Sequence, residues 1–412
     1  MSNFLQLITL LAVILFAAKL AGYLSTRIGQ PSVFGELLVG VLLGPSLLNL
    51  THLSFVSDVH IDEIITEIGE IGVMLLMFLA GLELHLKDLA KNGRVAALAG
   101  ILGVIVPVGL GYLFGELLGL GFNHSLFLGL SLGATSVSIS AQVLIELKMI
   151  RSRVGLGLLG AAIFDDVLVI LLLSSFIALL SSSGGTASIL LVFGKMILFF
   201  GLSVSFGLWV LPIISRFVHK LPISQGVTTL AIIILLFYGL AAELVGGMAA
   251  ITGAFLAGLM FGRTPEKSLI ETNLHSLSYA FFVPIFFISI GLSVDLHSIS
   301  LNSIWVILAI SAIAVAGKIF GSGLGALLSK FSIKESLQIG IGMISRGEVG
   351  LIIAKIGLDT GFLESEMFSS VIAMILITTI ITPPLLRASF TERKKTQIDP
   401  LPTDKTTDQE SA

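Results

Sequence analysis

Two adjacent carboxylates, Asp165 and Asp166, interrupt the apolar run Gly160-Ala-Ala-Ile-Phe-Asp-Asp-Val-Leu-Val-Ile170. Asp165 follows Val154 by eleven residues, about 16 Å at the helical rise, and apolar sequence continues to about Leu180. That places the pair near the middle of a membrane-spanning helix. A charge there costs at least about 2.5–3.5 kcal/mol on insertion scales and is seldom kept without a use. A capping role does not fit, because Gly157–Phe164 precede the acids without a break. Consecutive helical residues point about 100° apart, so the two carboxylates must face different neighbours.

Three further charges sit at similar depth. Lys318, in Ala314-Val-Ala-Gly-Lys-Ile-Phe-Gly321, is fourteen residues from Ile304 and ten from Leu328, and its stem is too short to snorkel to an interface. It is the expected counter-charge. Lys19, near one end of the first apolar run, is expected to snorkel. Ser345-Arg-Gly-Glu348 places a glycine between Arg346 and Glu348 inside an apolar segment, which predicts an interrupted helix. Irregular backbone at that depth is tolerated only when buried in protein or lining a cavity. Gly133-Ala-Thr-Ser-Val-Ser138 offers a second break, with Thr135, Ser136 and Ser138 as candidate site hydroxyls. The alternative for those three is bonding back to their own helix carbonyls. Two broken helices crossing at mid-depth would point half-helix dipoles at each other, and Arg346 and Glu348 are candidates to neutralise them.

Asp165, Asp166 and Glu348 against Lys318 and Arg346 leave one carboxylate unbalanced. It can hold a proton or a small cation, but not both. Hard cations favour oxygen ligands, and a carboxylate with Thr and Ser hydroxyls and unwound carbonyls supplies them. Competition for one site is the minimal mechanism of exchange. The residues alone do not say which of Asp165 and Asp166 is the spare acid.

The elements that position these groups follow from composition. Of 412 residues, 55% are hydrophobic and only 12% charged, against about 25% charged in ordinary soluble domains, and the mean hydropathy is +1.05. The chain is an all-α membrane protein by this reading, since period-2 alternation is absent. Net charge is −3 and no basic run of nucleic-acid type occurs; cysteine is absent, which removes disulfides and thiolate metal sites. Residues 4–24 lack a basic stretch before them and a small-residue cleavage pattern after them, so they read as a first span and not a signal peptide.

Thirteen candidate spans result: about 4–24, 33–50, 68–86, 95–119, 124–146, 154–180, 187–218, 223–242, 247–262, 276–294, 303–328, 335–358 and 366–388. Lysine and arginine concentrate in the odd-numbered loops and at the C-terminal end: Arg27; Lys87, Lys91, Arg94; Lys148, Arg151, Arg153; Arg216, Lys220; Arg263, Lys267; Lys330, Lys334; and Arg387, Arg393, Lys394, Lys395. Even-numbered loops hold Asp58, Asp62, Glu63, Glu67, Glu116, Asp295, Asp359 and Glu364 instead. The positive-inside rule then puts the N-terminus outside and the C-terminus in the cytoplasm. Residues 391–412 are polar and expected to be a disordered cytoplasmic tail.

A repeat is also present. Gly35, Gly40 and Gly44 recur as Gly253, Gly258 and Gly262 at an offset of 218, and Gly81-Leu-Glu-Leu-His-Leu86 resembles Gly291-Leu-Ser-Val-Asp-Leu296 at 210. Gly129 aligns with Gly340 at 211, which places Thr135 and Ser136 opposite Arg346 and Gly347. Spans 1–6 correspond to spans 8–13, with span 7 as linker. Seven is odd, so the two six-helix halves are inverted, an arrangement of secondary transporters with the site near the midplane.

The chain resembles the monovalent cation:proton antiporters of the second family, the branch with sodium/proton antiporters of the Asp-Asp, electrogenic type. The resemblance is carried by Phe34-Gly-Glu-Leu-Leu-Val-Gly-Val-Leu-Leu-Gly-Pro45, Phe78-Leu-Ala-Gly-Leu-Glu83, Ala134-Thr-Ser-Val-Ser-Ile139, Phe164-Asp-Asp166, Gly317-Lys-Ile-Phe-Gly321 and Arg346-Gly-Glu348. It implies a 13-helix fold with crossed broken helices (spans 5 and 12). It also implies a core domain (about 95–180 and 303–388) moving elevator-fashion against a scaffold (about 4–86 and 223–294), and a homodimer in a prokaryotic inner membrane. By position it makes Asp166 the carboxylate that binds Na⁺ or H⁺, with Asp165 paired to Lys318 and Thr135 beside the ion. Glutathione-gated potassium systems of the family have Gln-Asp and a nucleotide-binding domain; this chain has Asp165 and a short tail. The expected function is Na⁺ (Li⁺)/H⁺ exchange, with K⁺/H⁺ exchange and a gated cation channel as alternatives; neither an enzyme activity nor a cofactor is expected.

Overall fold

The computed structural model describes residues 2–53, 56, 60–180, 186–292 and 303–391. Among these there is no strand. The helices begin with α1 (Asn3–Arg27), α2 (Ser32–Leu43), α3 (Ile61–Glu83) and the short α4 (Leu86–Lys91). Next come α5 (Gly93–Leu117), α6 (Phe122–Gly133), α7 (Val137–Glu146), α8 (Arg153–Leu180), α9 (Thr186–Ser205) and α10 (Leu211–His219). The second half has α11 (Gly226–Ala241), α12 (Ala250–Phe261), α13 (Lys267–Leu277) and α14 (Val283–Leu292). It ends with α15 (Ile304–Leu328), α16 (Ile333–Gly342), α17 (Glu348–Asp359) and α18 (Ser365–Thr391). Ten apolar stretches among the described residues are long enough to cross a membrane.

Helix ends follow local chemistry. Ser2 caps α1 by accepting from the Leu5 amide, and Ser332 with Glu335 forms a reciprocal capping box at α16. The second and ninth expected spans are shorter than the sequence suggested. Helices α2 and α12 have 12 residues each, about 18 Å of rise. Gly44-Pro45 ends the first; Gly247, at φ +63°, separates the second from a π-helical turn over Ala242–Gly246. The seventh span, by contrast, is continuous through a π turn at Phe206–Val210 that joins α9 to α10. Lys19 does not simply reach for an interface; its Nζ donates to the Tyr279 carbonyl at 2.6 Å. The expected disordered tail after Thr391, Asp58, and residues 293–296 of the repeat, Asp295 among them, lie outside the described residues.

Packing sorts the helices into two sets. In one, α3 packs on α12 and α14, α2 on α1 and α14, and α11 on α12. In the other, α5 packs most extensively on α15, and also on α6 and α8, while α18 closes against α15, α16 and α17. Gly317, Gly321 and Gly325 line the face of α15 that meets α5; a Cβ at each would meet Pro107, the Leu102 carbonyl and the Leu98 carbonyl. Small residues at four-residue spacing let the two backbones touch. That contact holds Lys318, one residue past the first glycine, at a fixed depth.

Candidate ion site at two helix breaks

Helix α6 stops at Gly133 and α7 starts at Val137; Ala134 and Ser136 between them are extended. The second interruption runs from Met343 to Gly347, between α16 and α17. It is longer than the first. The two breaks are joined directly: the Ser136 amide donates to the Ser345 carbonyl (2.8 Å), and the Ser345 hydroxyl donates to the Ser136 carbonyl (2.5 Å). Ser140, one turn into α7, donates to the Gly342 carbonyl at the end of α16 (2.5 Å). Gly347 has no room for a side chain, since a Cβ there would meet Ser136.

A helix that ends inside a membrane leaves its last carbonyls without partners. Lys318 and Arg346 supply them at α6. Lys318 Nζ donates to the Gly133 carbonyl (2.6 Å), and Arg346 Nη2 donates to the Leu132 carbonyl (2.6 Å) and the Ala314 carbonyl of α15 (3.2 Å). Arg346 Nη1 turns back to the Ile344 carbonyl at 2.6 Å. Both cations are fully buried, and both stand at the negative end of the α6 dipole. Glu348 opens α17, where an acid complements the positive end; its side chain lies outside the described residues.

The two aspartates face different helices. Asp165 Oδ1 accepts from Lys318 Nζ at 2.7 Å, with both side chains buried. Its Oδ2 is buried without a hydrogen bond of ordinary geometry, as is the hydroxyl of Thr135 beside it. Asp166 turns toward α12, where Thr252 Oγ1 donates to its Oδ2 at 3.2 Å. Ser136 and Ser138, at the N-terminus of α7, share a hydrogen bond at 2.9 Å between their hydroxyls.

Asp165, Asp166, Thr135, Ser136, Lys318 and Arg346 are thereby gathered around the crossing of the two breaks. A residue that sequence reasoning passed over, Thr252, completes the surround of Asp166. The only sequence signal for it is a hydroxyl in the otherwise apolar Ala249-Ala-Ile-Thr-Gly253.

Comparisons with known proteins agree on the fold. The chain is 40% identical over 385 residues to the Na(+)/H(+)-K(+) antiporter GerN of Bacillus cereus, covering 93% of this chain and 96% of that one. It is 36% identical over 384 residues to a Na(+)/H(+) antiporter of Enterococcus hirae, covering 93% and 98%. The structure of the sodium proton antiporter MjNhaP1 from Methanocaldococcus jannaschii superimposes with a TM-score of 0.68 at 19% identity, over 95% of this chain and 98% of that one. Residues 12–388 match the family described as sodium/hydrogen exchanger, transmembrane; the chain belongs to that family.

Proposed function

We propose that this protein is a secondary antiporter exchanging Na⁺ (and Li⁺) for H⁺ at Asp166. The observation that carries the reading is the division of labour between the adjacent acids. Asp165 is tied to Lys318 inside the set built on α5 and α15, whereas Asp166 faces α12 of the other set. A cation on Asp166 would find further oxygens in Thr135, Ser136 and the carbonyls of the α6–α7 break. A proton would take the same carboxylate in its absence, so each species expels the other.

The packing sets correspond to a scaffold (residues about 4–86 and 223–294) and a core (about 95–180 and 303–388), bridged by 187–218. Elevator-type sliding of the core would carry Asp166 between the two faces. Thirteen crossings fit the ten long helices, the two short ones α2 and α12, and the α16–α17 pair. The charge bias of the loops favours an outer N-terminus and a cytoplasmic C-terminus. The repeat has a packing counterpart: Gly40 of α2 lies against Gly291 of α14, and Gly258 of α12 lies against the backbone of α3 at Phe78 and Leu82. Each half thus contributes one short helix to the other half's glycine face, the exchange expected of inverted halves. A homodimer formed through the scaffold in a prokaryotic inner membrane completes the reading.

The test is sodium-driven recovery of a quenched pH dye in everted vesicles. Asp166→Asn should abolish it, and in the parent the half-maximal Na⁺ concentration should rise as pH falls. Undiminished exchange by Asp166→Asn would remove the carrier assignment. The name of the Bacillus cereus relative includes K⁺, which favours a second reading in which K⁺ also competes for the site. Titrations with Na⁺, Li⁺ and K⁺ in the same vesicles separate the two.

A further inference from the structure

Thr252 reaches the site from α12, a helix that carries none of the residues that the charge count singled out. It stands in the first turn of α12, whereas Asp165 and Asp166 lie on α8, Lys318 on α15, and Thr135 and Arg346 in the two breaks. It is buried, and its hydroxyl donates to Asp166 Oδ2. The two side chains line one cavity of about 10 Å³, walled also by Met77, Val137, Ile251 and Phe255. A space of that size has room for about one water-sized species.

From this geometry we infer that Thr252 is a positioning residue for exchange: its hydroxyl holds the empty, ionised Asp166 carboxylate against α12 and releases it on loading. The inference rests on Asp166 being the carrier and α12 being part of the scaffold. A hydroxyl has one proton to donate, and its bond to an ionised acceptor is roughly twice as strong as to a neutral one. Once Asp166 is protonated or coordinates a cation, the Thr252 bond weakens. The contact between the two helix sets is therefore firmest when the site is empty, the state whose crossing would uncouple exchange.

The sign of one measurement separates this role from its rival. As a latch, Thr252 competes with the cation for Asp166, and its removal tightens apparent cation binding. As a cation ligand, its removal would weaken binding.

The experiment uses the full chain in proteoliposomes, with sodium-dependent proton movement read by an internal pH dye. Thr252→Val keeps the shape and removes the hydroxyl; Thr252→Ser keeps the hydroxyl. Assayed at a pH high enough that the half-maximal Na⁺ concentration of the parent no longer changes with pH, so that protons do not compete, the valine variant should lower that concentration about tenfold, the worth of one hydrogen bond to a charged acceptor. It should also speed sodium-independent decay of an imposed pH gradient, and the serine variant should match the parent on both counts. A half-maximal concentration that is unchanged or higher in the valine variant overturns the inference. If that variant does not fold, Thr252→Ala against Thr252→Ser reads the same contrast. Exchange surviving Asp166→Asn would instead refute the carrier assignment, so the two failures are distinguishable.

Discussion

Replacing Lys318 by glutamine removes the charge that Asp165 was positioned to meet. The ammonium has two partners, Asp165 Oδ1 at 2.7 Å and the Gly133 carbonyl at 2.6 Å, and neither charged side chain is more than 1% exposed. Without it, Asp165 keeps a buried Oδ2 that already lacks an ordinary hydrogen bond and loses the partner of Oδ1. Breaking one side of a buried ion pair costs about 3–5 kcal/mol, because the remaining charge is left uncompensated. Asp165→Asn should cost a similar amount, since it leaves Lys318 with a neutral carbonyl and a neutral amide. The double variant Asp165→Asn/Lys318→Gln carries no charge at either position, and the two amides can bond each other. Its cost should fall short of the roughly 6–10 kcal/mol sum of the singles by ~3 kcal/mol or more. Thermal unfolding of the purified parent, both singles and the double in one detergent gives the cycle. Single costs that add to within about 0.5 kcal/mol would refute the coupling. Transport supplies a second reading. The double variant retains Asp166 and should still exchange, but with weaker dependence on membrane potential, because the pair no longer contributes a titratable charge. Voltage dependence equal to the parent would mean that the pair is structural only.

Arg346→Lys keeps the charge but not the planar fork that reaches the Ile344, Leu132 and Ala314 carbonyls. It should lower stability by about 1–3 kcal/mol per carbonyl left unpaired, seen as an earlier thermal midpoint in detergent; a parental midpoint would contradict the capping role. Gly258→Ala places a Cβ against the Phe78 carbonyl and should cost about 1–3 kcal/mol as overpacking between α12 and α3. Gly109→Ala, inside α5 where a Cβ meets nothing, is the control that should leave the midpoint unmoved or raise it slightly. The chain has no cysteine, so single cysteines report topology without background. Glu116→Cys should react with a membrane-impermeant thiol reagent in whole cells, and Lys87→Cys only in everted vesicles; the reverse pattern would invert the proposed orientation.

What the sequence disclosed about the site depends on how costly each group is in an apolar setting. Asp165, Asp166, Lys318 and Arg346 stand out because a charge at mid-membrane is expensive, and the expense forces a partner close by. That Lys318 must meet one of the two acids, and that the chain breaks around Gly347, were legible for that reason; that the acid is Asp165 followed only from the family resemblance. The first break has no charge to mark it. Ala134, Thr135 and Ser136 were reachable through a glycine followed by hydroxyls, through alignment with the Arg346 region in the repeat, and through the family motif Ala134–Ile139. Its three residues are matched by five in the second break, a difference the offset of 211 did not reveal. Element lengths were misread where glycine ends a helix, as at Gly44 and Gly247, and where a helix runs on through charge, as α3 does from Ile61 across Asp62, Glu63 and Glu67, which their charge assigns to a loop.

Thr252 shows why a hydroxyl hides where a charge does not. A threonine in a membrane helix usually satisfies itself by donating to the carbonyl four residues earlier, as Thr378 does to Met374 and Thr382 does to Thr378 in α18. In an apolar run the three threonines look alike. Their difference lies upstream: Gly247 adopts a left-handed conformation and α12 begins only at Ala250. The residue four before Thr252 is Met248, which lies outside the helix. No helical carbonyl waits for the Thr252 hydroxyl, so it is free to turn outward, and the acceptor it meets is Asp166. Gly246-Gly247 thus does more than end a helix. By starting α12 late it places a donor in the first turn, at the depth where the neighbouring helix presents its carboxylate. A glycine pair five to six residues before a threonine, ahead of the helix that faces an unbalanced acid, is the pattern to read.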